Sequence, residues 1–162
     1  MANRYLQGNF APVTEEVTAY DLPITGTIPA EINGRLIRNG PNPIGTQDEA
    51  SYHWFSGDGM LHGIELRDGQ AASYRNRWVR TDQAAEALGE APIPGQVPDV
   101  FIGGGSVANT HVVPFGGKIF ALVEVCLPTE VTPDLETVGR YDFGGKLRSS
   151  MPWSIPSPLN QW

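Results

Sequence analysis

The chain has 162 residues, 40% of them hydrophobic, with 19 Gly and 14 Pro. That length fits one domain with a modest core, and so much Gly and Pro favours short strands joined by turns. Eleven basic against eighteen acidic residues leave a net charge of −7, which argues against a nucleic-acid binder, since that would carry a basic stripe.

Residues 1–22 read as a polar, acidic arm, with Glu15-Glu16 and few periodic positions, lying extended over the domain. The stretch Leu22 to Pro29 reads as an edge segment between prolines, and Ala30 to Gly34 as one helical turn closed by Gly34. Gly34 to Asn39 alternates as a strand. Three breaker clusters follow: Asn39-Gly40-Pro41, Asn42-Pro43 and Ser56-Gly57-Asp58-Gly59. Glycine supplies positive φ and proline fixes φ, so each forces a reversal. His53-Trp54-Phe55 is expected to enter the last of them as strand, and Met60 to Leu66 to leave it. Asp68-Gly69 turns the chain again into a third strand, Ala71 to Val79, completing a β-meander.

One helix is expected over Gln83 to Leu88, with Asp82 capping its free amides and Gly89 closing it. Ala91 to Ser106 is a Pro/Gly-rich loop ending in Gly103-Gly-Gly105, long enough to favour a functional role. Thr110 to Phe115 and Lys118 to Val125 flank Gly116-Gly117 as a hairpin. Period two sets Ile119, Ala121, Val123 and Val125 on one face and Phe120, Leu122 and Glu124 on the other. Both faces are largely apolar, so Glu124 reads as a carboxylate in a buried strand, costly unless paired. Residues 133–145 continue the alternation of turn and strand. So many short strands point to a sandwich or a propeller. At about 40–50 residues per blade the length covers roughly three, fewer than the four or so that a closed propeller needs.

Cys126 has no partner for an internal disulfide and fits a reducing compartment. Met1 to Phe10 lacks an apolar signal region, and the most apolar run, Ile119 to Leu127, is too short for a bilayer. A soluble, cytoplasmic chain without a transmembrane segment is expected; peripheral contact with a membrane stays open.

His53 and His62 flank the Ser-Gly-Asp-Gly turn with Asp58 between them, a set that suits a metal or acid–base cluster. The plainer reading is that Asp58 bonds its own turn and both histidines pack beside aromatics, and no third ligand stands at a recognisable spacing. Ser56 lies in no nucleophile elbow, and Gly103 to Gly105 opens no phosphate-binding helix. Arg75, Arg77 and Arg80 read as a solvated strand face. For Glu124 two readings stand level: support for a metal-binding histidine, or an ion pair with Arg38, Arg77 or Arg80.

Arg38-Asn-Gly-Pro-Asn-Pro43, Tyr52-His-Trp-Phe-Ser-Gly-Asp-Gly-Met-Leu-His-Gly63 and Arg77-Trp-Val-Arg-Thr81 resemble the carotenoid cleavage oxygenase family. Gly8 to Val13, Leu22 to Pro29, Asn109 to Val113 and Leu135 to Gly139 extend the resemblance to about Met151. It implies the N-terminal blades of a seven-bladed β-propeller, an all-β fold that is incomplete here, with a non-haem Fe(II) at its centre. Four histidines would hold the iron, and three glutamates would support those histidines. O2 and an apolar polyene or stilbene would be the substrates, cleaved at a C=C bond to two carbonyls. Glu124 lies where the family places the first supporting glutamate. Where relatives continue into Thr-Ala-His-Pro, this chain has Pro152-Trp153-Ser154, so residues 1–151 resemble the family and 152–162 form an irregular tail. His53, His62 and His111 match no iron ligand. The chain is therefore expected to carry no metal-ligating or catalytic residue, to bind no iron and to be inactive alone, a truncation or frame change near Met151. Two other readings remain: a non-catalytic module holding an apolar ligand around Trp54, Phe55 and Trp78, or a non-functional remnant.

Overall fold

The structure, a computed structural model, describes residues 2–98, 105–124 and 126–147. Residues 148–162, with the expected domain boundary near Met151, lie outside the described residues, as do Gly103, Gly104 and Val125.

The described residues form two four-stranded antiparallel sheets and one short helix. In the first sheet β2 (Gly34–Pro41), β3 (Gly59–Arg67) and β4 (Gln70–Trp78) make a meander whose turn at Asp68-Gly69 is the expected one, but its first strand is β2 rather than His53-Trp54-Phe55. Asn39-Gly40-Pro41, where a reversal was expected, continues β2 in register with Leu61, Met60 and Gly59, since Pro41 ends the strand, where a missing N–H is tolerated. β1 (Thr18–Tyr20) adds to the free edge of β4. Asp68 and Gly69, at φ 49° and 75°, turn β3 into β4 with the double positive φ that matches strand twist. The second sheet runs β5 (His111–Phe115), β6 (Lys118–Leu122), β7 (Thr129–Val131) and β8 (Thr137–Arg140) in order. Gly116 and Gly117, at φ 57° and 76°, turn β5 into β6 in the same way.

Two sheets, not three, occupy these residues, because the arm and the long connections take up chain without adding strands. His53-Trp54-Phe55 is not strand: Trp54–Ser56 is a 3₁₀ turn capped by His53, whose Nδ1 accepts from Phe55 N. Residues 30–33 form a turn closed by Ile32 N donating to Pro29 O rather than a helical turn, and no strand forms over 22–29. The helix α1 (Asp82–Leu88) stands as expected, with Gly89 at φ 72° closing it. Its cap is Thr81 rather than Asp82, since the Thr81 Oγ1 accepts from Ala84 N at 3.2 Å and Asp82 already lies inside the first turn.

The sheets pack face to face. Leu61 and Val79 meet Ala108, Ala121, Val131 and Leu135, with Ile37, Val112 and Ile119 closing around them. Gly63 is small for a reason: a Cβ there would stand 3.2 Å from a Leu135 methyl. Arg75 and Arg77 are not on a solvated face. They share the inward face of β4, as cross-strand partners of Gly63 and Leu61, and pair with Asp134 and Glu136 on the β7–β8 turn. Arg35 joins Asp134 at 2.9 Å. Arg80 bridges Glu16 of the arm and Glu90 beyond α1.

The arm does lie across the first sheet, held by two buried asparagines. Asn42 accepts from Val13 N at 2.7 Å and donates to Val13 O at 2.9 Å. Asn76 accepts from Val17 N at 2.6 Å and donates to Glu15 O at 2.9 Å. Each side-chain amide thus satisfies backbone groups that a strand neighbour would otherwise have met. Arm and loop together bury the Met60–Trp78 end of the outward face, and Trp78 Nε1 donates to Asn42 O at 2.9 Å.

Candidate functional site

β2 and β5, the first strand of each meander, approach one another. Their junction is the best-organised polar corner in the molecule. The chain reaches it through Val107 and Ala108, the latter at φ 44°. Gly59 lets it pass: its N–H donates to Val107 O at 2.7 Å, and a Cβ would sit 2.3 Å from Ala108 O. Two side-chain amides fix the crossing, from the half-buried Asn39 and the buried Asn109. Asn39 Nδ2 donates to Ala108 O at 2.7 Å and to His111 O at 3.0 Å. Asn109 Nδ2 donates to Gly57 O at 2.7 Å and Phe55 O at 2.8 Å. The exposed Thr110 and His111 are thereby delivered to the start of β5, opposite the end of β6.

Glu124 stands at this corner, but not in a buried strand. The last ladder bond runs from Thr110 N to Leu122 O at 2.9 Å. Beyond it β5 offers no further partner, so the chain leaves the sheet and Glu124 turns out to solvent. The two-sided burial inferred for this strand holds from Phe120 through Val123 and stops there. Among the described residues no arginine pairs with Glu124: Arg77 and Arg80 are engaged by Glu136, Glu16 and Glu90. Its partner is the Thr110 hydroxyl, 3.1 Å from Oε2 and 3.2 Å from Asn109 Oδ1. One hydroxyl proton serves one acceptor at a time, so Glu124 keeps acceptor capacity toward solvent.

The other singled-out residues do not converge on this corner or on each other. Asp58 is buried, with Oδ2 accepting from Ile44 N at 3.3 Å and Oδ1 from Gln83 Nε2 at 3.2 Å. Burial raises its pKa above the ordinary carboxylate value, against the pull of those bonds. His53 packs beside Tyr5 and Phe55. His62 Nδ1 lies 2.8 Å from the Tyr74 hydroxyl, and burial, helped by Arg38, lowers its pKa. Ser56 Oγ donates to His53 O, a bond internal to the turn. Among the described residues no three His, Cys, Asp or Glu side chains come together to hold a metal ion. The described residues therefore do not fit an iron site. Trp78, placed with Trp54 and Phe55 in a ligand-binding reading, is core, only 5% exposed.

In the sequence Asn39 was read as part of a turn and Asn109 and Thr110 only as part of a family motif, although a polar residue inside an apolar strand pattern, as at Asn39, was a usable signal. Away from this corner a concavity of about 570 Å³ opens on the outward face of the first sheet, lined by Phe10, Leu36, Arg38, Trp54, Ile64 and Tyr74 among others. No described helix is long and apolar enough to cross a membrane.

The family model for the retinal pigment epithelial membrane protein, RPE65, matches residues 10–156. The carotenoid cleavage oxygenase of Mycobacterium tuberculosis is 52% identical over 149 residues, which cover 90% of this chain and 29% of that protein. The carotenoid 9,10(9′,10′)-cleavage dioxygenase 1 of Phaseolus vulgaris is 35% identical, over 93% of this chain and 32% of that protein. Among solved structures, the lignostilbene dioxygenase of Pseudomonas brassicacearum superposes with a TM-score of 0.75 at 27% identity, over 93% of this chain and 34% of that one. Cobalt-substituted Synechocystis apocarotenoid oxygenase gives a TM-score of 0.70 at 26% identity, over 86% of this chain and 32% of that one. The chain thus spans about a third of the length of the proteins it matches.

Proposed function

The chain belongs to the carotenoid cleavage oxygenase (RPE65) family, and from that membership we propose that it is one part of an Fe(II)-dependent dioxygenase. In this reading the whole enzyme oxidatively cleaves a C=C bond of a carotenoid-, apocarotenoid- or stilbene-like substrate to two carbonyl products. The two sheets are N-terminal blades of a seven-bladed propeller, and β2 and β5 face its axis.

The chain's own contribution is Glu124. A carboxylate at the strand end, held by the Thr110 hydroxyl and unmatched by any described arginine, is placed to accept the ring N–H of a histidine carried elsewhere in the enzyme. Such a bond fixes the tautomer and orientation of a metal-binding imidazole and raises its basicity. The Asn39 and Asn109 amides hold Thr110, and Thr110 holds the carboxylate. Glu124 is a positioning residue, and the chain alone neither binds iron nor turns over substrate. The cytoplasm is the proposed compartment.

The observation that carries this reading is the exposed Glu124–Thr110 pair at the meeting of the first strands. Metal analysis of the purified 162-residue chain tests it: iron is expected far below one equivalent, with no polyene cleavage under O2. Stoichiometric iron, or turnover by the chain alone, would overturn it.

A further inference from the structure

Asn-Gly occurs twice in this chain, as Asn33-Gly34 at the entry to β2 and as Asn39-Gly40 within it. The pair carries its own chemistry. Glycine leaves its nitrogen unshielded by a side chain, so that nitrogen can attack the asparagine Cγ. The new N–Cγ bond closes a succinimide ring, the Cγ–Nδ2 bond breaks, and ammonia leaves. Water then opens the ring to aspartate or isoaspartate.

The fold treats the two pairs differently. Asn39 and Gly40 pair with Leu61 and Met60 in the β2–β3 ladder, and the Asn39 amide is tied to Ala108 O and His111 O. Ring closure there must pull the Gly40 peptide out of register and the amide off both acceptors, so it waits on local opening. Asn33 precedes the ladder, and both it and Gly34 are exposed. Gly34 stands at φ 147°, and a Cβ on it would meet nothing within 4 Å, so the space around it is open. The Asn33 amide is set for the reaction: Oδ1 accepts from Asp68 N at 2.9 Å, and Nδ2 donates to Ala30 O at 3.0 Å. Attack by Gly34 N puts negative charge on Oδ1, where the Asp68 N–H already points, an oxyanion donor built into the turn. Water at this exposed site takes the Gly34 proton and supplies one to the departing Nδ2.

We propose that Asn33 is a site of spontaneous deamidation in the folded chain, whereas the fold protects Asn39. The change has a structural consequence. Asn33 clips the turn at 30–33 to the β3–β4 turn through Asp68 N, beside Gly69, where a Cβ would stand 3.1 Å from Ile28 O. Aspartate keeps that acceptor but gives up the bond to Ala30 O and adds a negative charge next to Asp68. Isoaspartate also lengthens the backbone by an extra carbon just before the Gly34–Leu66 pair. The Glu124 corner is held from the other end of β2, through Asn39, so the modification leaves it intact.

Prolonged incubation of the full 162-residue chain in mildly alkaline buffer tests this, with and without unfolding urea, read by intact mass and by peptide mapping with electron-transfer fragmentation. Folded, Asn33 should convert at least about tenfold faster than Asn39; unfolded, the two should agree within about threefold, because protection by the fold vanishes with it. Asn33→Gln should abolish the early mass gain, since glutamine must close a larger, slower-forming ring, and should melt close to the unaltered chain, Asn33 being exposed. Isomerisation at Asp68-Gly69 leaves the mass unaltered and is not mistaken for it. Equal rates at Asn33 and Asn39 in the folded chain would overturn the proposal, as would a preference for Asn33 just as strong in urea. So would an Asn33 that reacts only in urea, which would make its two hydrogen bonds protective, or a mass gain that survives Asn33→Gln.

Discussion

Replacing Asn109 with alanine should destabilise the chain more than any exposed polar truncation. Asn109 is 2% exposed, and its amide donates at 2.7 and 2.8 Å to Gly57 O and Phe55 O. Deleting it leaves Gly57 O without its donor in a buried site, and Phe55 O without one in a half-buried site that water can partly replace. Each unmet buried group costs about 1–3 kcal/mol, and one of the two can recover part through its second lone pair. The expected loss is about 2–4 kcal/mol, a fall in Tm of roughly 5–15 °C for a chain of this size. Urea unfolding followed by the emission of the buried Trp78 measures it, with the slope on urea unchanged. Asn109→Asp sharpens the test, because a carboxylate keeps the size and loses both donors. At neutral pH it should be worse than alanine, and it should recover on acidification as protonation restores one donor. A loss below about 1 kcal/mol for alanine, or an Asp variant more stable than alanine at pH 7, would refute the pinning role.

Gly59→Ala should lose at least the upper end of the ~1–3 kcal/mol typical of overpacking, since its Cβ would meet the backbone of Ala108 at 2.3 Å; Gly40→Ala, with nothing within 4 Å, should be neutral or gain up to about 1 kcal/mol. The two are compared by thermal melts, and equal effects would contradict the close crossing. Leu135→Ala, at a position 2% exposed between the sheets, should cost about 2–5 kcal/mol by urea unfolding, and a cost below ~1 kcal/mol would mean that the sheets do not pack there. Asp58→Asn should flatten one component of the pH dependence. The folded carboxyl titrates above its ordinary value of 3.8, so proton binding favours the folded state fully below that value and loses its effect as pH rises through the folded pKa. The variant can keep both contacts, accepting from Ile44 N and donating to a flipped Gln83 amide. Its stability relative to wild type should therefore grow from pH 4 upward and then level off; a difference that stays flat or shrinks would show that burial does not raise this group.

What could be read in the sequence is what is decided by neighbours in the chain. Asp68-Gly69 and Gly116-Gly117 adopt positive φ because few other pairs do so cheaply, and the strands on either side of each turn followed from them. The misreadings come where two local signals compete or where a distant partner decides. Trp54 and Phe55 have strand-forming side chains, but the His53 ring takes the Phe55 N–H and closes a 3₁₀ turn instead. Thr81 and Asp82 are both capping residues, and the geometry of the entering chain chose the first. Arg75 and Arg77 look like residues for water, yet the side of β4 they occupy is fixed by which face the second sheet covers. Glu124 was placed by extending the period of β6 past the point where β5 stops pairing.

The asparagines explain why the irregular parts of this molecule are nevertheless held in place. A strand secures its neighbour by a ladder of backbone bonds, which needs several consecutive residues in register. The arm at Val13 and Val17 and the crossing at Ala108 are too short and too twisted for a ladder. Asn42, Asn76, Asn39 and Asn109 each bring a side-chain amide to those backbone groups. In a sequence they look like turn formers, because their partners stand 29 to 72 residues away. The Glu124 corner inherits its geometry from two of them. Had it been built on a solvated loop, the carboxylate would sample many directions, and the proposed bond to a histidine would lose the orientation that gives it value. Hence a variant that removes the Asn109 amide but leaves Glu124 and Thr110 intact should impair the assembled enzyme nearly as Glu124→Ala does. Iron retention by the whole enzyme of the proposed reading, measured beside its melting temperature with each substitution in place, would show this, and full retention in an enzyme destabilised only as a whole would refute it.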